Sequence, residues 1–112
     1  MSDEHVLAED ALAFPLSPYD AGEVVAGSPA AGLASLATVG GASVGIWELS
    51  EGTVRDTEAD EVFVVLAGEA TVRFLDSGGA VELRPGSLVR LRAGERTEWQ
   101  IRSTLRKLYV SG

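Results

Sequence analysis

Glu61 is the residue of this sequence whose type and position point most clearly to chemistry. It stands at the start of an apolar run, residues 62–67, that is rich in β-branched and aromatic types and predicts a buried strand. A carboxylate at the entrance to such an interior needs a partner or a ligand, because burying an unpaired charge is costly. Glu61 is therefore either a polar anchor or general base of a ligand site, or one half of a structural ion pair with Arg55 or Lys107.

Alternation along the predicted strands brings further side chains towards Glu61. Successive side chains of a strand point to opposite faces, so Phe63 shares the face of Glu61 and Trp99 shares the face of Thr97. An interior lined by these four residues is typical of a small-molecule site, and equally of a barrel core filled by side chains. Lys107, on the last predicted strand, either recognises a carboxylate ligand or neutralises Glu61, and its direction depends on strand register.

The elements that must position these residues are short strands. Gly40-Gly41 predicts a tight hairpin, and Gly68-Glu69 predicts a second reversal of the chain. A turn every 6 to 12 residues or so, with no long helical period, predicts an antiparallel sandwich or barrel. The predicted strands are 23–27, 33–39, 43–49, 62–67, 70–75, 81–83, 88–91, 97–101 and 105–110. Residues 1–22 are predicted to be an N-terminal arm, with a turn or two of helix at 6–13, and residues 23–112 to be the barrel domain.

Composition narrows the classes of function. The 112 residues suffice for one domain, and with no cysteine the chain has neither disulfides nor thiolate metal ligands. A net charge of −8 argues against nucleic acid and anionic membrane surfaces as partners, because both require clustered Lys and Arg. No apolar run approaches the roughly 18 residues of a membrane span. The acidic start lacks the basic region of a secretory signal, so we expect a cytoplasmic location.

Four sequence pieces, in order and tightly spaced, resemble the cupin superfamily. The chain is similar to the small single-domain cupins of the subfamily named for (S)-ureidoglycine aminohydrolase, over residues 23–110. The resemblance implies an all-β fold, the double-stranded β-helix, a jelly-roll-like barrel that is commonly a homodimer and holds any ligand inside its mouth. The pieces are Gly45-Ile46-Trp47-Glu48, Asp60-Glu61 with Leu66-Ala67-Gly68-Glu69, residues 83–89 with Ala93-Gly94, and Trp99 with residues 106–110.

The sequence departs from the metal-binding cupins at the residues that would hold the metal. Those cupins usually place two histidines and a glutamate in the first motif and a third histidine in the second. Glu61 occupies the glutamate position, but Arg55 and Thr57 stand at the first two histidine positions and Thr97 at the third. The single histidine, His5, lies outside the matched region. A transition metal requires imidazole nitrogens and three or four ligands, so we expect no metal and no other cofactor.

Two functions are compatible with these residues. The first is a metal-free cupin that binds a small polar or anionic metabolite in the barrel. The second is a cupin enzyme, aminohydrolase-like or a lyase or isomerase, that uses Glu61 as acid or base, with or without a divalent metal. The ligand-binding candidates are Glu61, Lys107, Arg55, Thr97, Trp99 and Phe63.

Overall fold

The computed structural model describes residues 4–112 as an antiparallel, all-β structure, and within that range no helix forms. This confirms the predicted fold class. The nine strands are β1 Ser17–Tyr19, β2 Glu23–Gly27, β3 Ala31–Val39, β4 Ala42–Leu49, β5 Gly52–Thr57, β6 Glu61–Phe74, β7 Ala80–Leu83, β8 Leu88–Leu91 and β9 Arg96–Ser111.

The two longest strands, β6 and β9, organise the whole sheet. They pair from Glu61 opposite Ser111 to Phe74 opposite Thr97, and each bends on the way. The first half of β6 also pairs with β8, and its second half pairs with β7. The second half of β9 also pairs with β4, and its first half pairs with β5. The sheet therefore curls into two layers, β1-β3-β4-β9-β6-β8 and β2-β5-β9-β6-β7, that share their two central strands.

The bend of β6 lies at Gly68, where we predicted a reversal of the chain. That prediction is wrong: the strand continues in the same direction through register shifts between Val65 and Ala70. Gly68 has φ +94°, and a Cβ there would collide with the backbone of Thr104. A bulge and a hairpin turn both demand a positive-φ glycine, so the residue type alone does not distinguish them. The predicted strands 97–101 and 105–110 are likewise one strand, β9.

One further predicted turn is confirmed, and the remaining differences from the predicted elements lie in residues 4–19 and 52–57. The hairpin at Gly40-Gly41 is confirmed, since β3 and β4 pair across it and both glycines have positive φ. Strands β1 and β5 were not predicted. Residues 6–13 form turns rather than a helix, and the part of the predicted arm before residue 4 lies outside the described residues.

An apolar core lies between the layers. Its buried members come from every strand except β1 and β2, with Phe63, Val65, Leu91, Trp99 and Leu105 almost without exposure. Within residues 4–112 there is no helix with the length and apolar character needed to cross a bilayer.

A short link between the two layers borders the core at one end. β1 is an edge strand of one layer and β2 an edge strand of the other, so residues 20–22 connect the two edges. Asp20 accepts a hydrogen bond from the Gly22 backbone N–H at 2.8 Å, which closes this link into a turn. Ala21, between them, packs against the core.

Candidate functional site

A cavity of about 230 Å³ opens at this end, between the two layers and beside the β1–β2 link. Its charged lining consists of three carboxylates, Asp56, Glu58 and Glu61, and one ammonium, that of Lys107. Its aromatic lining consists of Tyr19, Trp47, Trp99 and Tyr109. A barrel whose interior retains such a space is not completely filled by its own side chains, so there is room for a small molecule.

Glu61 and Lys107 form a buried ion pair on the cavity wall. Lys107 Nζ donates to Glu61 Oε2 at 2.6 Å, and the two side chains are only 6% and 14% exposed. Strand register brings them together, because Lys107 lies opposite Val65 on β6, four residues beyond Glu61 on the same face. Of the two partners that the sequence offered to Glu61, the structure selects Lys107.

Three aromatic rings surround the ammonium of Lys107. Its Nζ lies 4.5 Å from the ring centroid of Phe63, 4.7 Å from that of Trp47 and 4.9 Å from that of Trp99. Ring faces carry negative potential, so they attract the cation and compensate for part of its lost hydration. Lys107 is thus held by one carboxylate and three rings, which fixes its position in the cavity.

Several cavity residues were not predicted from the sequence, among them Tyr19, Asp56, Tyr109 and, most important for the chemistry, Glu58. Its Oε2 accepts hydrogen bonds from Thr97 Oγ1 at 2.6 Å and from Trp99 Nε1 at 3.1 Å. Its backbone is fixed as well, since the N–H donates to the Glu95 carbonyl and the carbonyl accepts from the Gly94 N–H. Glu58 lies in the loop before β6, where strand alternation gives no direction for a side chain. The acidic stretch from Asp56 to Glu61 could suggest cation binding, but its spacing matches no calcium loop, so Glu58 was not predicted.

Burial raises the pKa of the Glu58 carboxyl above its ordinary value of 4.5. Desolvation is the main cause, partly opposed by the hydrogen bond from Thr97, and the nearby charge of Asp56 raises the pKa further. Oε1 has no hydrogen-bond partner among residues 4–112, yet no buried side-chain polar atom in that range is left unsatisfied. Oε1 is therefore open to solvent, and Glu58 can accept or donate a proton there.

Tyr109 contributes a neutral hydroxyl to the cavity. Burial raises the pKa of this phenol above 10, and the negative charge of Glu61 raises it further. The hydroxyl therefore stays protonated at neutral pH and can donate a hydrogen bond to a bound molecule.

Five of the six predicted ligand-binding residues lie together, and Arg55 lies elsewhere. Glu61, Lys107 and Trp99 line the cavity; Phe63 contacts the Lys107 ammonium, and fully buried Thr97 holds Glu58. Arg55 does not line the cavity; it pairs with Glu98 at 3.1 Å with nearly half of its side chain exposed. The reason is alternation along β5, where its neighbours Val54 and Asp56 face the cavity.

The residues present do not fit the divalent metal ion that many cupins hold. Among residues 4–112, no three His, Cys, Asp or Glu side chains come together as a ligand set. Oε2 of Glu61 already accepts a hydrogen bond from the Lys107 ammonium, and Thr97 bonds to Glu58. A metal ion at Glu61 would be repelled by this ammonium and would have no imidazole nitrogens to bind it.

Comparison with protein families gives one match. The profile of the EutQ-like cupin domain matches residues 36–109, which include all of β6, β9 as far as residue 109 and most of the cavity wall. No curated protein matches the chain.

Comparison with solved structures finds the same fold many times. The EutQ protein of Salmonella typhimurium LT2, assigned to ethanolamine utilization, is 26% identical over 73% of this chain and 68% of that one, with a TM-score of 0.63. A protein of unknown function from Pseudomonas syringae pv. tomato has a TM-score of 0.75 at 20% identity, over 92% of this chain and 46% of that one. The polyketide cyclase RemF of Streptomyces resistomycificus reaches 0.62 at 20% identity, over 86% and 72%.

Proposed function

We propose, from the premise that this chain belongs to the family of EutQ-like cupin domains, that it binds a small polar metabolite in the cavity without a metal ion. Membership of the ureidoglycine aminohydrolase subfamily, homodimer formation and a cytoplasmic location remain predictions. The observation that carries the proposal is an open cavity of about 230 Å³ with fixed polar groups on its wall.

The polar groups of the cavity are held in place before any ligand arrives. Lys107 is fixed by Glu61 and three rings, and Glu58 by Thr97 and Trp99. Such preorganisation favours binding, because side-chain entropy need not be lost when the complex forms. Of the two ligand types expected from the sequence, polar and anionic, the excess of carboxylates in the lining supports the polar one.

Ligand screening by thermal shift tests this proposal. A ligand at about 100 times its dissociation constant stabilises a protein by about 2.7 kcal/mol, which is an easily measured change. Ala21→Phe extends a ring from the cavity wall into the space, so it is expected to abolish the shift of any hit. Ala80→Phe makes the same substitution at an exposed strand end and should leave it intact. A hit whose thermal shift is reduced equally by both substitutions would contradict the proposal. A screen that yields no hit among cationic, neutral and anionic metabolites would contradict it as well.

Glu58 supports a second candidate function, acid–base catalysis on the bound molecule. From the sequence this role was expected of Glu61, but Glu61 Oε2 already accepts a hydrogen bond from the Lys107 ammonium at 2.6 Å. Glu58 has the raised pKa and the solvent-open oxygen that proton transfer needs. If a screening hit is turned over, Glu58→Gln should abolish turnover while the hit still binds; undiminished turnover in that variant would exclude Glu58 as the catalytic group.

A further inference from the structure

The charges around the cavity are unbalanced. Lys107 forms its hydrogen bond with Glu61, and its charge only partly offsets that of Glu58, so Asp56 and Glu58 have no paired cation among the residues that line the cavity. Arg55, adjacent to Asp56 in the chain, is held outside by Glu98. Carboxylates that converge on a cavity with low-dielectric walls produce a negative potential that attracts cations and repels anions.

The walls of the cavity are suited to an organic cation in particular. Trp47 and Trp99, with ring centroids 5.7 Å apart, already stand within 5 Å of one ammonium, that of Lys107. Tyr19 and Tyr109 add two further rings to the lining. Aromatic faces combined with carboxylates are the groups that recognise substituted ammonium ions, because the rings attract the charge and also contact its carbon atoms.

From this juxtaposition we propose that the ligand is a small organic cation, an amine or quaternary ammonium compound, bound between the carboxylates of Asp56 and Glu58 and the aromatic wall. The inference rests on the proposed function and specifies its ligand class. A cavity of about 230 Å³ is smaller than the roughly 300–1,000 Å³ of sites for drug-sized ligands, so the cation has only a few heavy atoms.

Probes of similar size and shape but different charge test the ligand class. One set is choline, 3,3-dimethylbutan-1-ol and 3,3-dimethylbutanoate; the other is n-propylamine, n-propanol and propanoate. Both tryptophans of the chain, Trp47 and Trp99, line the cavity, so their fluorescence reports binding there directly. We expect at least one cation to bind about tenfold or more tightly than its neutral counterpart, with the anion weakest.

Charge-neutralising variants separate a specific site from a general acidic surface. Asp56→Asn and Glu58→Gln should each weaken the bound cation several-fold and leave the neutral probe unchanged. Glu51→Gln removes an exposed carboxylate that does not line the cavity and should change neither. The affinity for the cation should also rise with pH as Glu58 ionises, and this rise should be absent in Glu58→Gln.

The outcomes distinguish this inference from the proposed function. Equal or tighter binding of a neutral or anionic probe would overturn the cation assignment and leave the cavity a ligand site. The cation assignment would also be overturned if neither cation bound while the metabolite screen yielded an uncharged hit whose binding Ala21→Phe blocks. Equal weakening by Glu51→Gln would also overturn it, because the attraction would then come from the overall charge of the protein.

Discussion

Removal of the Lys107 ammonium should destabilise the fold strongly. Lys107→Met keeps most of the volume of the side chain, so the loss is one of charge rather than of packing. It leaves the Glu61 carboxylate, 14% exposed, without its partner. Breaking a buried ion pair by removing one member costs about 3–5 kcal/mol. Because Glu61 keeps some exposure, we expect about 3 kcal/mol, measured by urea unfolding at pH 7 with an unchanged denaturant dependence.

Glu61→Gln should cost less than Lys107→Met. The amide oxygen still accepts from the ammonium, and the three rings still surround it, so we expect about 1–2 kcal/mol. In Glu61→Gln/Lys107→Met neither member of the pair is charged, so the loss of stability should be smaller than the sum of the two single losses by about 2 kcal/mol. Arg55→Met is the matched control, because its pair with Glu98 is half exposed and should contribute no more than about 1 kcal/mol.

The result that refutes this reasoning is additivity. If the two single variants and the double variant show no coupling, the ion pair at 2.6 Å has no energetic role. A loss from Lys107→Met no greater than that from Arg55→Met would equally show that burial does not strengthen the pair.

Four further predictions concern single positions. Because the pKa of Glu58 is raised in the folded state, its stabilising contribution is present below pH 4.5 and is lost as the pH rises through the folded-state pKa. The stability of Glu58→Gln relative to the wild type should therefore increase over that pH range. Parallel pH–stability curves from thermal unfolding would contradict this. Gly68→Ala should destabilise the protein much more than Gly86→Ala in the same unfolding assay. Both glycines have φ +94°, but only at Gly68 would the added Cβ collide with backbone atoms. Equal losses of stability in the two variants would exclude the clash. Arg106→Met removes hydrogen bonds to two backbone carbonyls of the N-terminal segment and to Glu48. Amide hydrogen exchange in residues 11–16 should therefore accelerate. Unchanged protection would show that Arg106 does not hold this segment in place. If the chain is a homodimer whose interface includes Leu88, which is 73% exposed, Leu88→Glu should halve the mass found by light scattering. A wild-type monomer, or a variant that stays dimeric, would rule that interface out.

Much of the fold follows from local rules that the sequence displays. The hairpin at Gly40-Gly41 and the strand that starts at Glu61 depend on turn glycines and apolar runs, and both are present in the structure. The long strand β6 was predicted as two strands because a positive-φ glycine such as Gly68 occurs both in bulges and in turns. Strand β5 was missed since its run 52–57 is polar, and its position between β2 and β9 is decided by tertiary pairing.

The site was predictable only where a side chain lies on a regular strand. Alternation placed Phe63 with Glu61 and Trp99 with Thr97, and these residues lie close together in the structure. The direction in which the Lys107 side chain points depends on the register between β6 and β9, and no local sequence pattern determines that register. Glu58 comes from a loop, where direction is decided by hydrogen bonds to distant residues.

The central claim is that the cavity binds its ligand through protein groups alone, with the Lys107 ammonium as its resident cation. The direct measurement is a tryptophan-fluorescence titration with the best screening ligand, before and after exhaustive dialysis against EDTA. The account predicts saturable binding with the same dissociation constant in both samples. Loss of binding after dialysis, restored by manganese, iron, nickel or zinc, would contradict it.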